Sequence, residues 1–431
     1  MTELVEKIIW NDELWKEAQG RDGLKELRAR SWKKFEQTGF PTLKEESWRY
    51  TSTAFVSSNR FHFAPLPRPD ARTLEHLRSR LEVFKSSARI VFLDGWFMPQ
   101  VSNLKPIEDG INFASMRDLA LDRPQLLATH FKETGGFSAM NAALFQDGFW
   151  LHVHSGAKLA TPLLIYFLQT SSAPFQTTQL RHSLSLGDAS CLKIVEWHDC
   201  LDHPQIFFQQ EVGIHLAKSS QLEHFRLQGS GSETWMRSAT EVALEQKSRY
   251  ERLDFEAGSR VSRNEIRADF LGGESVCILK GIGLGSQSQH LDTQVVVNHA
   301  VPGGTSDQVY RNLLSGNARG VFGGCVRVHP DAQKTDAQQV HKTLLLSSEA
   351  RADTKPQLQI DADDVKCSHG AAIGQLDEDS LFYLRSRGIS LANAEKILAA
   401  GFLEKVLDGL ADETMRIFLK DHLKAQVANL F

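Results

Sequence analysis

The sequence predicts a mainly β fold, a solenoid of short strands held between two helical ends. Three observations carry that expectation. From about residue 88 to 372, short β-branched or aromatic runs follow one another: RIVFLDGWFM, TPLLIYFL, SCLKIVEW, QLEHFRL, RYERLDFEA, SVCILKGIGL, TQVVVNHA, GVFGGCVRV, KTLLLSS and PQLQIDADDVKCS. Each is bounded by Gly, Ser, Asn or Asp, the usual punctuation between strands. Small polar turns recur as GDAS at 187, AKSS at 217, QKSR at 246 and GGES at 272, spaced by 30, 29 and 26 residues. A turn that returns at a near-constant interval favours stacked coils of one repeating unit. Helical periodicity, the third observation, is scarce inside this stretch and returns on either side of it. The repeat is loosely kept, so a large sandwich or barrel stays the competing architecture.

The elements follow in chain order. Leu24, Leu27 and Phe35 fall at helical spacing with Trp32 beside them, and Gly39 followed by Pro41 stops that helix. Next comes GFPTLKEESWRYTS, where Pro41, Glu46, Trp48, Arg49 and Tyr50 crowd together as an aromatic anchor on the main body or as a docking surface. The run FAPLPRPDAR reads as a linker, TLEHLRSRLEVF as a short helix, and MRDLALDRPQLLATHF as a helix set within the β region. In LDEDSLFYLRSRGIS, Asp377, Glu378 and Asp379 precede an apolar run, Arg385 and Arg387 close it, and Gly388 lies past the end, so each charge suits the helix dipole. Met415, Phe418, Leu419, Leu423 and Val427 form the apolar stripe of a further helix starting near Asp412. These C-terminal helices form a small bundle or a protein-docking module. Phe382, Tyr383 and Leu384 are consecutive and cannot all face one core, which keeps docking open. The predicted units are a helical domain with linker at 1–87, a β core at 88–375 and a C-terminal helical domain at 376–431.

Composition excludes several classes of function. The chain has 431 residues, 41% hydrophobic and 24% charged, enough to bury a large core. A formal net charge of −4 and the lack of a long basic block give no reason to expect nucleic acid as partner. The opening MTELVEKIIW mixes acids with apolar residues, and no run of about eighteen apolar residues follows, so neither a secretory signal nor a membrane partner is expected. Five widely spaced cysteines, Cys191, Cys200, Cys277, Cys325 and Cys367, contain no C-x-x-C pair and point to a reducing, cytoplasmic setting. The dipeptide Gly-Lys is absent, and with it the phosphate-binding P-loop. No nucleotide is therefore expected on this chain, and any ATP would be hydrolysed by another subunit.

The most chemically suggestive stretch is DADDVKCSHGAAIG, residues 361–374. In a strand, residues two apart share a face, so Cys367 and His369 would project a sulfur and an imidazole together. Both are ligands for soft metals, yet zinc and iron–sulfur sites take about four. A metal held here would need ligands from a partner. Elsewhere, His152 and His154 share a strand face without a nearby carboxylate or cysteine, and His198, Asp199, Cys200, Asp202 and His203 form a knot of ligand types read as a solvated loop. GIGLG at 281–285 is read as glycine-rich strand packing, since no helix pattern follows. Asp361, Asp363 and Asp364 allow a second reading, paired carboxylates of a polysaccharide-cleaving β-helix.

The segment Gly39 to Thr51, with GFPT and WRYT, and the run from Ala332 to Gly374, with AQKTDAQQ, LLLS and DADDVKCSHGA, followed by LFYLRSRG, closely resemble the SufB/SufD family of the SUF iron–sulfur cluster assembly system. The likeness is to its SufD side, since the SufB side lacks the WRYT and CSHG segments. The matched features span from near residue 30 to near 400. What the resemblance implies is a right-handed parallel β-helix flanked by N-terminal and C-terminal α-helical domains. It implies a scaffold without ATPase activity, joined to a SufB-like homologous subunit and a SufC-like ABC ATPase. His369, with Cys367 as a weaker companion, would contribute to a transient Fe–S cluster at the SufB interface. Phe382, Tyr383, Leu384, Arg385 and Gly388 would belong to the ATPase-docking element. The family leaves room for a reduced flavin in the complex and for a homodimer of the isolated chain, as in a SufB-like scaffold acting alone. Ala372 and Gln359 depart from the family pattern, which often has Thr and Glu there.

Overall fold

The computed structural model describes residues 12–107, 109–127, 133–159, 161–170, 173–202, 205–229, 231, 233–428 and 430. Its body is a β-solenoid of about eight turns, flanked by helices at both ends of the chain. From Phe149–Val153 onward, successive strands alternate between two sheets, and each interior strand pairs in parallel with the strand one coil earlier and the strand one coil later.

The recurring turns explain why the coils stack. Ala189, Ser219, Lys247 and Glu274 occupy the left-handed region with φ between 54° and 61°, followed in the same column by Gly303 and Lys334. Left-handed φ costs a residue with a side chain about 1 kcal/mol, and stacking offsets it. The Ala189 N–H donates to the Lys218 carbonyl at 2.9 Å, Ser219 to Gln246 at 2.9 Å, Lys247 to Gly273 at 3.0 Å and Lys334 to Asp364 at 2.6 Å. Each corner thus satisfies the next. The serine that follows is buried: the Ser190, Ser220 and Ser275 hydroxyls donate to the carbonyl three residues back at 2.7, 2.7 and 3.0 Å.

Side chains of alternate residues fill the lumen or cover the outside. Leu192, Ile194, Phe208, Ile214, Tyr250, Ile266 and Leu279 belong to the apolar part of the lumen. Beside them lies a charged part. Glu196 is bonded by His198 at 2.5 Å and His224 at 2.8 Å, and Arg226 reaches Glu256 at 3.1 Å. Arg252 grips Asp254 and donates to Thr240 at 2.8 Å. Burial opposes the charge on Glu196, but the two histidines outweigh it and hold its pKa well below the usual carboxylate value. Burial pushes Glu256 up to about 7 despite Arg226.

The N-terminal helix Lys25–Thr38 buries Leu27, Trp32 and Phe35 and ends at Gly39, whose φ is 68° and whose N–H bonds the Phe35 carbonyl, as the spacing predicts. The segment after it is an anchor. Trp48 stacks on Phe137 at 5.1 Å, the Arg263 guanidinium lies 3.7 Å over its ring, and the Thr51 hydroxyl donates to Asp292. MRDLALDRPQLLATHF is helical over Met116–Asp122 and Pro124–Leu127, and its last four residues lie outside the described ones. The helix Gly136–Leu144 was not expected. All nine of its residues are buried, so it shows no polar face to give a periodic pattern.

At the other end, Leu391–Glu404 and Glu413–Ala428 pack on the outer face of the second sheet as well as on each other. Ala399, Leu403, Met415, Leu419, Leu423 and Val427 meet Trp197, Phe225, Leu253 and Phe255 in one cluster. Among the described residues, no helix is long and apolar enough to cross a membrane.

Candidate functional site

The strands Arg351–Ile360 and Lys366–Gly374 are the last of the two sheets, each paired on one side only among the described residues. PQLQIDADDVKCS is therefore not one strand. Asp361 to Val365 form the corner of the final coil, where the Asp364 carbonyl accepts the Lys334 N–H. Cys367, His369, Ala371 and Ile373 lie in register with Ala337, Gln339, His341 and Thr343, all buried in the lumen. The odd-numbered positions of the last strand are thus lumen positions that no further coil covers. His369 is exposed as a result, and Ile373 is 46% exposed. Two strand edges with unpaired N–H and C=O groups surround them.

Cys367 and His369 share one face, as their spacing predicts, but differ in setting. Cys367 is half-buried against Val326, Val328, Ala337 and Ala362, and burial raises its thiol pKa, which lowers the thiolate fraction at neutral pH. The imidazole stands freer. Among the described residues no group of three or more His, Cys, Asp or Glu side chains could hold a metal ion. On this face the described residues offer one thiol and one imidazole, fewer than the four donors a cluster usually takes. Asp361, Asp363 and Asp364 sit in a corner rather than along a sheet face, unlike the carboxylates the polysaccharide reading needs.

The predicted docking residues lie on the helix Glu378–Ser386, which buries none of its residues. Its start is capped by Asp377, which accepts the Ser380 hydroxyl at 2.5 Å and the Ser380 N–H at 2.8 Å, and these bonds lower its pKa. Phe382 is 74% and Tyr383 58% exposed, and Arg385 is exposed beside them. Leu384 turns inward, lining a shallow groove with Tyr383, Ile397 and Leu398. Gly388, at φ 84°, lets the chain reverse after the helix.

Comparison with known proteins agrees with this architecture in both halves. Residues 167–402 match the family model of the SUF system FeS cluster assembly SufBD core domain, and residues 12–165 match the SufBD protein N-terminal region. An iron–sulfur cluster assembly SufBD family protein of Synechocystis is 31% identical over 85% of this chain and 83% of its own length. The chain belongs to the SufBD family. Other relatives of this SufBD protein are the iron–sulfur cluster assembly proteins SufD of Escherichia coli, 28% identical over 88% of each chain, and of Bacillus subtilis, 25% identical over 72% of each. Membership places its function in SUF iron–sulfur cluster assembly.

Among the described residues, the remaining ligand-like groups of this SufBD protein have structural partners. His152 Nδ1 meets the Ser185 hydroxyl at 2.8 Å, with the His154 ring 5.9 Å away. The knot at 198–203 is not a solvated loop throughout, because His198 and Asp199 are buried. Asp199 accepts from Tyr166 at 2.8 Å and pairs with Arg80 at 3.0 Å, while Asp202 pairs with Arg72 at 2.9 Å. His203 lies outside the described residues. The GIGLG glycines are packing residues, since a Cβ on Gly281 would lie 2.3 Å from the Tyr310 ring. Sequence reasoning passed over Gln308 and Gln339, which form a ladder beneath His369. Their offset of 31 residues, close to the turn interval, was the available signal.

Proposed function

We propose that this chain is a scaffold subunit, without ATPase activity of its own, which completes a cluster-building site by pairing its open end with a SufB-like homologous subunit. A SufC-like ABC ATPase docks on the C-terminal helices around Phe382, Tyr383 and Arg385, with Leu384 and Gly388 shaping that surface. One observation carries the reading: His369 occupies a lumen position in the terminal coil, which no further coil covers among the described residues. A second solenoid laid edge to edge would continue both sheets and bury the exposed backbone. The imidazole, with Cys367 behind it, would then face ligands of the partner.

The incomplete donor set suits a cluster that has to leave. Four fixed thiolates from one chain would make a stable product site, whereas ligands divided between subunits are undone by a small movement of one against the other. Motion of an attached ATPase could supply that movement. The iron–sulfur cluster is cargo in this scheme.

The test is to coexpress the chain with both partners and follow cluster formation by ultraviolet–visible absorbance. Disturbing even the outer partners of a metal ligand costs 10- to 100-fold, so His369→Ala should lower the rate by at least about tenfold. Cys367→Ala should have the smaller effect. Unchanged cluster formation in the His369→Ala complex would overturn the ligand role.

A further inference from the structure

We infer that Gln339 is a positioning residue for His369: its buried side-chain carbonyl accepts the N–H of one imidazole nitrogen and leaves the lone pair of the other facing the open end. The inference rests on the proposed cluster role of His369 and adds how its ring is held. Gln339 is the register partner of His369, one coil further in, and is fully buried. Its Nε2 donates at 2.8 Å to Gln308 Oε1, which belongs to the coil beyond. A side-chain amide that donates toward one neighbouring coil turns its carbonyl toward the other, the arrangement that lets glutamines form ladders along stacked strands. The next coil outward holds His369. Gln339 Oε1 is buried and has no hydrogen-bond partner among the described residues, a state that costs about 1–3 kcal/mol unless a donor arrives.

Two further features hold the amide in place and remove competitors. Across the lumen, a Cβ on Gly324 would lie only 2.1 Å from Gln339 Nε2, so the glycine admits the amide and closes behind it. His341, the lumen residue two positions along the same strand, is already engaged, with Nδ1 at 2.9 Å from the Thr354 hydroxyl and Nε2 at 3.3 Å from Asn312. On the facing strand, the lumen positions nearest the corner are Ile360, Leu358 and Pro356, whose side chains carry no donor or acceptor. Cys367 is the remaining polar neighbour on the His369 face. A metal-binding imidazole works best when its second nitrogen is anchored, because that fixes the tautomer and aims the ring.

Nitrogen NMR of the full chain labelled at histidine tests this without any cluster. The His369 signals are assigned by their loss in His369→Ala. The wild type should show one protonated and one bare ring nitrogen, a single tautomer. Gln339→Met, close in length but without an acceptor, should give a mixture of tautomers and slow cluster formation by the partnered complex about tenfold. Thr343→Val alters packing on the same strand beneath Ile373 and should leave the His369 spectrum unchanged. Should Gln339→Met fold poorly, Gln308→Met releases the Gln339 N–H from one coil further in and should again mix the tautomers. An unchanged spectrum in Gln339→Met, or an equal change in Thr343→Val, overturns the inference while leaving the ligand role of His369 standing. Normal cluster formation in His369→Ala would instead remove the reading beneath it.

Discussion

The two ends of the solenoid are finished in opposite ways. At the N-terminal end the sheets stop at short antiparallel strands, Ile111–Ser115 in one and Trp96–Phe97 in the other. Leu24, Leu27, Met116, Leu119, Leu127 and Phe145 close over that region in one cluster. At the other end the terminal strands have ten and nine residues, run parallel to their neighbours, and contain no buried residue. An edge of that length is a hazard that folded proteins usually blunt or cover. On the proposed reading, keeping it bare leaves a surface for a second chain, and the closed end and the coils next to it carry stability while the open end carries function.

That division is sharpest in the buried charges of the central coils. Arg226 lies between Glu196 and Glu256, with all three side chains buried. Removing one partner of such a network strands a charge without water, at a cost of about 3–5 kcal/mol. Arg226→Met should therefore lower the urea midpoint of unfolding more than any single change in the last coil. A shift within error would break the comparison, because it would mean that the lumen charges are already hydrated.

Acid should reach the body of the solenoid next. His182, His299 and His341 stack on Phe149, Phe270 and Phe322 at 4.2, 4.2 and 4.5 Å, and burial lowers their pKa values to about 3, 4 and 4. A histidine depressed on folding stabilises the fold above its ordinary value of about 6.5 and loses that contribution as pH falls toward the folded value. Each should cost on the order of 2 kcal/mol at pH 5. Asp147, raised to about 6, and Glu256, raised to about 7, act in the opposite sense and recover part of the loss as they take up protons. Unfolding midpoints measured from pH 7 to pH 5 should fall, and less steeply in His299→Gln. A flat profile would place these rings in contact with water.

The sequence made the body more legible than the site. Ser190, Ser220, Ser248 and Ser275 are buried at the corners, so one structural need left one residue type at a regular interval. Strands rich in aliphatic and aromatic residues, such as Leu163–Gln169, were equally plain. Gln176–Leu186 and Val261–Phe270 were not, because Thr177, Gln179 and Arg181 in one, and Ser262, Arg263 and Asn264 in the other, are polar residues that the stack buries, so they break the apolar pattern of a strand. The shared face of Cys367 and His369 followed from their spacing alone. That their coil is the last one, and therefore open, depends on the whole stack and could not be read from the segment itself.

A smaller and local effect belongs to the C-terminal side. The helix Glu378–Ser386 is held at its start by Asp377 and buries nothing, so Asp377→Ala should fray it without moving the global midpoint. Hydrogen exchange at Leu381 to Leu384 should quicken, and capture of the ATPase subunit should weaken with it. Faster exchange throughout the following helix Leu391–Glu404 would show that the capped helix supports the body after all.

The least effect on stability is expected where the largest effect on function lies. His369 is exposed on a strand paired on one side, so His369→Ala should shift the unfolding free energy of the isolated chain by at most about 1–3 kcal/mol, the cost of leaving Gln339 Oε1 without a donor, and by less than Arg226→Met. Ile373→Glu, two residues beyond the site strand's Ala371, should be as mild in the isolated chain while reducing copurification with the homologous subunit. The reason is the same in both cases: the last coil has not yet buried the side chains that face its lumen. A destabilisation by His369→Ala comparable to that of Arg226→Met would mean that position 369 supports the fold itself, and the division between a closed end that stabilises and an open end that acts would no longer hold.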